Sequence, residues 1–160
     1  MRLSAQEAFQ AYADRVYAAA YTLLRSPEDA EDVVQDTFLK YCGITKDFES
    51  SEHIKAWLLR LAINRAKDIQ RQFWRRNVTG WEDYEGSLEF QEPQDRELFA
   101  AVMTLPQKYR TAIHLYYYED YSIRQIAQVL GSTESAVKTQ LSRGRKILKS
   151  MLMEAWNDDE

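Results

Sequence analysis

The sequence predicts an all-α protein: two small helical domains joined by a short acidic linker, the second containing a helix-turn-helix. Over most of the chain, apolar residues recur at steps of three and four, the pattern of helices with one buried face. Glycine and proline are scarce, at five and three among 160 residues, so few turns are expected. The stretch 77–93 is acidic and lacks sustained periodicity, as is typical of a linker. We therefore assign residues 1–76 to one domain, 94–153 to the other, and 154–160 to an acidic tail.

The first two helices carry clear start signals. Ser4 and Glu7 form a capping box ahead of a long apolar and aromatic stripe, which we interpret as core. Ser26 and Pro27 supply a cap and a proline at the first helical position of the second helix. The inner face of that helix is apolar, and its outer face is polar. The outer residues are Asp32, Gln35, Asp36 and Lys40.

The third helix is strongly basic. Residues 53–76 contain seven lysines and arginines against one acidic residue, whereas residues 1–52 contain five against ten. Trp57 and two further aromatic residues are interspersed among these cations. Aromatic rings among cations suit unpaired bases, through stacking and phosphate contact. The alternative stays open that Trp57 belongs to the core and that the arginines only face water.

Two short helices are expected next. Apolar residues between Leu98 and Met103 predict the first, which Leu105 and Pro106 close. Tyr109, Ala112, Ile113 and Tyr116 mark the second. The tyrosines at 116–118 are expected to pack in the core or at its rim.

The stretch 121–149 is predicted to form a helix, a tight turn and a second helix. Ser122 and Gln125 form a capping box, and Gly131 stands where a left-handed C-terminal cap favours glycine. Thr133 is the expected cap of the second helix, whose exposed hydroxyl and cationic groups suit bases and phosphates. These residues are Ser135, Lys138, Thr139, Ser142, Arg143, Arg145 and Lys146. The pattern predicts a helix-turn-helix whose second helix enters the major groove of DNA.

Composition limits the remaining function classes. A hydrophobic fraction of 45% supports packed cores rather than disorder. The single cysteine, Cys42, cannot form an internal disulfide, which fits a reducing cytoplasm. Cys42, His53 and His114 lie far apart, with no pair at metal-ligand spacing, so no metal and no cofactor are expected. No apolar run is long enough for a membrane span or a signal peptide, and the protein is expected to be cytoplasmic.

Three stretches of the chain resemble bacterial RNA polymerase sigma factors. Residues 29–38, DAEDVVQDTF, are similar to the helix by which these proteins bind core polymerase. Residues 57–68, WLLRLAINRAKD, are similar to their promoter-melting segment. Leu105-Pro106, Tyr109-Arg110 and the stretch 122–149 are similar to their C-terminal promoter-reading domain. A chain with room for only two of the family's domains resembles the extracytoplasmic-function (ECF) group.

The resemblance implies a role for each candidate residue. Asp32, Gln35 and Asp36 would dock on the clamp helices of the polymerase β′ subunit. The loop 43–52 and Asn64 would form the pocket for a flipped-out base of the minus-ten element. The other contacts to minus-ten DNA would be Trp57, Arg60, Arg65, Lys67 and Arg71. The hydroxyl and cationic side chains of the second helix of the helix-turn-helix would read the minus-thirty-five element.

The resemblance also implies partners and a function. The chain would bind core RNA polymerase through the β′ clamp helices and the β flap, and would direct promoter recognition, DNA melting and transcription initiation. Promoter DNA and an anti-sigma factor are the other expected partners. The acidic linker is compatible with a path through a basic polymerase channel.

Three rival classes remain open. A stand-alone helix-turn-helix regulator would need a ligand or dimerisation domain, and residues 1–76 carry a basic aromatic helix instead. An enzyme acting on nucleic acid would need an acidic pair at metal spacing or a nucleophile with its base. Neither is visible, so the chain is predicted not to be an enzyme. A purely structural helical adaptor would not support transcription from a promoter.

Overall fold

All regular structure in the described part of the chain is helical. The structure is a computed structural model that describes the backbone of residues 1–76 and 93–158 and the side chains of residues 1–72 and 98–154. Across these ranges no strand is present, and the all-α prediction is confirmed. In chain order the elements are α1 (Ala5–Leu24), α2 (Pro27–Gly43), α3 (Ser51–Arg76), α4 (Pro93–Met103), α5 (Gln107–Ile113), a π-helical turn (His114–Tyr118), α6 (Ile123–Leu130) and α7 (Glu134–Asp158).

The chain divides into two units, Met1–Gly86 and Ser87–Glu160. Unit 1 contains α1 to α3, and unit 2 contains α4 to α7. The predicted linker is 77–93. Residues 77–92 lie outside the described residues, and Pro93 is the first residue of α4. The last helix continues to Asp158, so most of the predicted tail, 154–160, is helical.

In unit 1 the three helices pack against one another, and the first two begin at their predicted caps. Ser4 Oγ accepts from the Glu7 amide at 3.1 Å, and the Glu7 carboxylate accepts from the Ser4 amide at 3.0 Å. The backbone bond from Ser4 lowers the pKa of Glu7. Ser26 Oγ accepts from the amide three residues further on, at 3.2 Å. The inner face of α2 is buried as predicted, whereas Phe9 of α1 is exposed and packs edge-on against Phe38.

The buried face of α3 is wide. Ile54, Leu58, Leu59, Ala62 and Ile63 are all fully buried. Because α3 packs against both α1 and α2, it is covered on two sides rather than along one stripe. The exposed cations Arg60 and Arg71 lie on the side that remains.

Unit 2 is built around α7, which packs against α4, α5 and α6. The predicted capping box of α6 is present: the Gln125 amide donates to Ser122 Oγ at 3.1 Å, and the Ser122 amide donates to Gln125 Oε1 at 2.8 Å. Gly131 ends α6 with a φ of 62°, in the left-handed region. Thr133 Oγ1 accepts from the Ala136 amide at 3.1 Å. The caps of the predicted helix-turn-helix are confirmed.

One burial prediction in unit 2 is wrong. Tyr117 and Tyr118, expected in the core or at its rim, are exposed, Tyr117 by 56%. Both tyrosines lie in the π-helical turn, in which the Glu119 amide donates to the His114 carbonyl at 3.3 Å. The extra residue of this turn rotates the side chains that follow it around the helix axis, so Tyr117 and Tyr118 face solvent while Leu115 stays buried.

Gly144 of α7 packs against α5. A Cβ atom at this position would stand 3.0 Å from Cγ1 and 3.3 Å from Cδ1 of Ile113, and 3.4 Å from Cβ of Tyr109. Ile113 is only 4% exposed, so its side chain has little room to move. The absence of a side chain at 144 thus sets the separation of the two helices.

We expect Gly144→Ala to lower the free energy of unfolding, measured by urea denaturation. Alanine is the better helix former by about 1 kcal/mol, but overpacking a buried contact costs about 1–3 kcal/mol. Gly43→Ala is the matched control, because its added Cβ at the end of α2 meets nothing within 4 Å. That control should be neutral or stabilising. Equal stabilisation by both substitutions would contradict the tight α5–α7 contact.

Candidate functional site

The outer face of α2 presents the residues predicted to bind a partner. Asp32 and Gln35 are exposed, and Asp36 is half-exposed. Leu39, which the sequence pattern did not single out, is 68% exposed. It lies one helical turn from Gln35 and Asp36, on the same face. The face therefore combines carboxylates with a large apolar side chain that water surrounds.

Asp36 and Arg65 join the α2 face to α3. Arg65 Nε donates to Asp36 Oδ2 at 2.8 Å, with the two side chains 35% and 40% exposed. An ion pair this open to water contributes about 0–1 kcal/mol to stability, so its main effect is on position. It holds the Arg65 guanidinium against α2, to one side of the other α3 cations. The role of Arg65 in DNA contact stays a prediction.

Three other cations of α3 form a stripe together with Asn64. Arg60, Asn64, Lys67 and Arg71 follow one another at steps of four, three and four residues, so they share one side of the helix. Burial, and then the charge of Arg71, lower the pKa of Lys67. Arg71 Nη2 donates to the carboxylate of Asp68 at 2.6 Å. Asn64 adds a carboxamide that can both donate and accept, which the neighbouring cations cannot.

The loop 43–52 packs on aromatic rings at the start of α3. Phe48 is 2% exposed; its ring stacks on Tyr41 at 6.1 Å and meets Trp57 edge-on at 5.8 Å between centroids. Trp57 is half-buried and also meets Tyr41, so one part of its ring belongs to the core and another faces solvent. Asn64 lies seven residues beyond Trp57, a rise of about 10 Å along the helix. The loop and Asn64 therefore stand at different levels of α3.

In unit 2, the outward side of α7 is the candidate duplex-reading surface. All seven residues predicted there are exposed, opposite the buried Val137, Leu141 and Leu148. They are Ser135, Lys138, Thr139, Ser142, Arg143, Arg145 and Lys146. Thr139 Oγ1 donates to the Ser135 carbonyl at 3.1 Å, which orients the hydroxyl and leaves its lone pairs able to accept.

Arg145 differs from the other cations of this surface. Its Nε donates to the Tyr117 hydroxyl at 2.6 Å, and its guanidinium lies 5.0 Å and 5.5 Å from the ring centroids of Tyr116 and Tyr117. Such cation–π contacts orient the guanidinium. Sequence reasoning missed this cluster because it assigned the tyrosines to the core. Arg145 is therefore tethered at the edge of the surface, beside the π-helical turn.

The described residues were also compared with the requirements of a metal site and of a membrane span. Among them, no three His, Cys, Asp or Glu side chains come together in a group that could hold a metal ion. None of the described helices is both long enough and apolar enough to span a bilayer.

Each of the two units matches a known protein family. Residues 8–77 match the family described as Sigma-70 region 2, and residues 95–148 match the family described as Sigma-70, region 4. The first match spans most of α1 to α3. The second runs from α4 into α7 and includes the whole helix-turn-helix.

Individual relatives extend over nearly the whole chain. The chain is 32% identical over 154 residues to the ECF RNA polymerase sigma factor SigL of Mycobacterium tuberculosis H37Rv, covering 91% of this chain and 87% of SigL. It is 28% identical over 165 residues to SigM of Bacillus subtilis strain 168, covering 98% and 100%. Among solved structures it is similar to the sigma factor RpoE of Bartonella quintana, crystallised with the anti-sigma factor NepR. The TM-score is 0.74 at 25% identity, covering 91% and 94% of the two chains.

Proposed function

This chain belongs to the ECF group of bacterial RNA polymerase sigma factors, and we propose how its two units share the work of that group. A sigma factor binds core RNA polymerase and directs promoter recognition, DNA melting and transcription initiation. The observation that carries the function is the order of two family regions in one chain, 8–77 followed by 95–148. A stand-alone helix-turn-helix regulator would have no use for the first of these regions.

In unit 1, the outer face of α2 is proposed to dock on the clamp helices of the polymerase β′ subunit. Its acidic groups, Asp32 and Asp36, would steer the chain towards a basic partner. Leu39 would lose its exposure to water on docking, which favours binding by the hydrophobic effect. The side-chain carboxamide of Gln35, on the same face, can both donate and accept hydrogen bonds.

The α3 stripe is proposed to hold unpaired minus-ten DNA. Extruding a base costs a few kcal/mol, which stacking and hydrogen bonds to the extruded base must return. The loop 43–52 would receive the extruded base, and the solvent-facing part of Trp57 beside it offers a stacking surface. Asn64 offers a base-edge contact further along the helix. Arg60, Lys67 and Arg71 would contact the phosphates of the same DNA strand. Arg65 would join them once its ion pair with Asp36 is broken.

In unit 2, the outward side of α7 is proposed to read the minus-thirty-five element in the major groove. Hydroxyls and cations there can contact base edges and phosphates without any rearrangement of the buried side. Unit 2 is also the proposed site for the β flap of polymerase. The chemistry of RNA synthesis belongs to the polymerase, so the chain itself is proposed to have no catalytic activity.

An anti-sigma factor is the remaining proposed partner. The similar Bartonella quintana protein was crystallised with one. Such an inhibitor would hold this chain away from polymerase in the cytoplasm, where transcription takes place.

We expect Asp32→Arg to weaken binding to core polymerase, with an unchanged circular dichroism spectrum. Reversing one charge at an exposed interface should cost on the order of 1 kcal/mol, or about five-fold in affinity. Asp32 is chosen over Asp36 because an arginine at 36 would also repel Arg65. The control is Asp14→Arg, which reverses an exposed charge on α1. Equal affinities for wild type, variant and control would remove the α2 face from the interface, and a wild type that fails to bind core would refute the function.

Arg143→Ala should impair binding to minus-thirty-five DNA. The loss of binding free energy should be about 1–3 kcal/mol if Arg143 reads a base. If it holds a phosphate, the slope of log affinity against log salt concentration should fall in magnitude by about 1. Arg145→Ala should cost less, because Tyr117 tethers that guanidinium at the edge of the surface. Salt titrations of holoenzyme on duplex promoter DNA measure both. A larger loss from Arg145→Ala would reverse the proposed ranking.

Asn64→Ala should impair strand opening and leave duplex capture by α7 intact. Removing the carboxamide removes one contact to an extruded base, so closed complexes should form normally while fewer thymines become reactive to permanganate. A template already mismatched around the minus-ten element should restore part of the reactivity, because the unpairing cost is then absent. Wild-type opening by the variant on the matched template would show that Asn64 is an ordinary surface residue.

A further inference from the structure

The first three residues of the chain pair with the loop 43–52. The Phe48 amide donates to the Met1 carbonyl at 2.9 Å, and the Tyr41 hydroxyl donates to the Leu3 carbonyl at 2.5 Å. The segment therefore lies beside the loop, although it precedes α1 and lies about forty positions away in sequence. We name residues 1–3 the N-terminal arm.

Arg2 is the centre of this arm. Its Nη2 donates to the Tyr41 carbonyl at 2.9 Å, its Nη1 donates to the Lys46 carbonyl at 3.3 Å, and its guanidinium lies 4.7 Å from the Tyr41 ring centroid. The Tyr41 carbonyl belongs to the last turn of α2, where cations are favoured, and it also accepts a long hydrogen bond of 3.4 Å from the Ile44 amide. The two branches of one planar group thus connect the end of the helix with the loop that follows it.

The loop that the arm holds has a buried anchor and an exposed polar rim. Phe48 fixes the backbone through its buried ring, which also meets His53 edge-on at 5.2 Å. The residues around it expose their side chains to solvent. They are Thr45, Lys46, Asp47, Glu49 and Ser50. A fixed backbone with polar side chains facing outward is a pre-organised binding surface.

We propose that the N-terminal arm sets the shape of this loop for base recognition, and that Arg2 is a positioning residue for discrimination among bases of the unpaired minus-ten strand. The inference rests on the proposed function, in which the loop receives an extruded base. Arg2 acts through the loop backbone and does not contact DNA. Without its two hydrogen bonds, the loop backbone near Lys46 is held less firmly, and part of its conformational entropy is lost when it binds DNA rather than when the chain folds. Affinity for the preferred base then falls more than affinity for the others.

The test is a selection from single-stranded DNA with a randomised central segment, using the full chain assembled with core RNA polymerase. Wild-type holoenzyme should enrich particular bases at one or more positions. Arg2→Ala should lower the largest enrichment by roughly five- to thirty-fold, the effect of ordering one residue's backbone during binding. Core binding should match the wild type. Arg15→Ala, which removes an exposed arginine of α1, is the charge-matched control and should retain full enrichment.

Two further measurements keep the inference testable. Amide hydrogen exchange in residues 44–50 should be faster in Arg2→Ala than in wild type, because the hydrogen bonds from Arg2 to the Tyr41 and Lys46 carbonyls are lost. If Arg2→Ala lowers the melting temperature, Tyr41→Phe replaces it, since this change deletes only the hydroxyl that donates to Leu3. It should reduce enrichment in the same direction.

The outcomes separate this inference from the function on which it rests. A wild-type chain that binds no core polymerase, or whose holoenzyme enriches no base, would refute the proposed function. Enrichment by wild type that persists unchanged in both Arg2→Ala and Tyr41→Phe would refute only the role of the arm. Loss of enrichment in Arg15→Ala as well would also overturn it, because the effect would then be one of net charge.

Discussion

The need to bury one side of α3 and one side of α7 determines where the charged groups of this protein can lie. On α7, the contact between Gly144 and Ile113 fixes the helix against α5. With 3.6 residues per turn, most of the candidate DNA surface must then point outward, with Arg145 at its edge. On α3, burial on two sides by α1 and α2 leaves one narrow stripe for Arg60, Asn64, Lys67 and Arg71. The binding surfaces are thus consequences of core packing.

Segregation of charge explains how a chain with a net charge of −4 can bind DNA. Screening limits the reach of exposed charges to about 8–10 Å at physiological ionic strength, so local charge matters more than the total. The α3 stripe is basic and the outer face of α2 is acidic, and these neighbouring helices present different chemistry to different partners. Their meeting point is the pair Asp36–Arg65. Docking of α2 on polymerase would compete for Asp36 and so release Arg65 towards DNA.

Features set within a few residues could be predicted from the sequence. The capping boxes at Ser4 and Ser122 and the left-handed cap at Gly131 depend only on neighbours within one turn, and all are present. Features set by distant contacts could not. The burial of Ile63 depends on the packing of a whole helix. The hydrogen bond from Arg145 to Tyr117 joins residues 28 positions apart, and that from Arg2 to Tyr41 joins residues 39 apart. No periodic pattern encodes such pairs.

The central claim is that this chain gives core RNA polymerase its promoter specificity. Run-off transcription from genomic fragments tests it most directly, with the chain and core polymerase each added alone and together. The account predicts discrete transcripts only when both are present, initiated from a shared upstream sequence. Transcripts that do not depend on the chain, or a sequence-specific footprint by the chain alone with no transcript in any mixture, would contradict it.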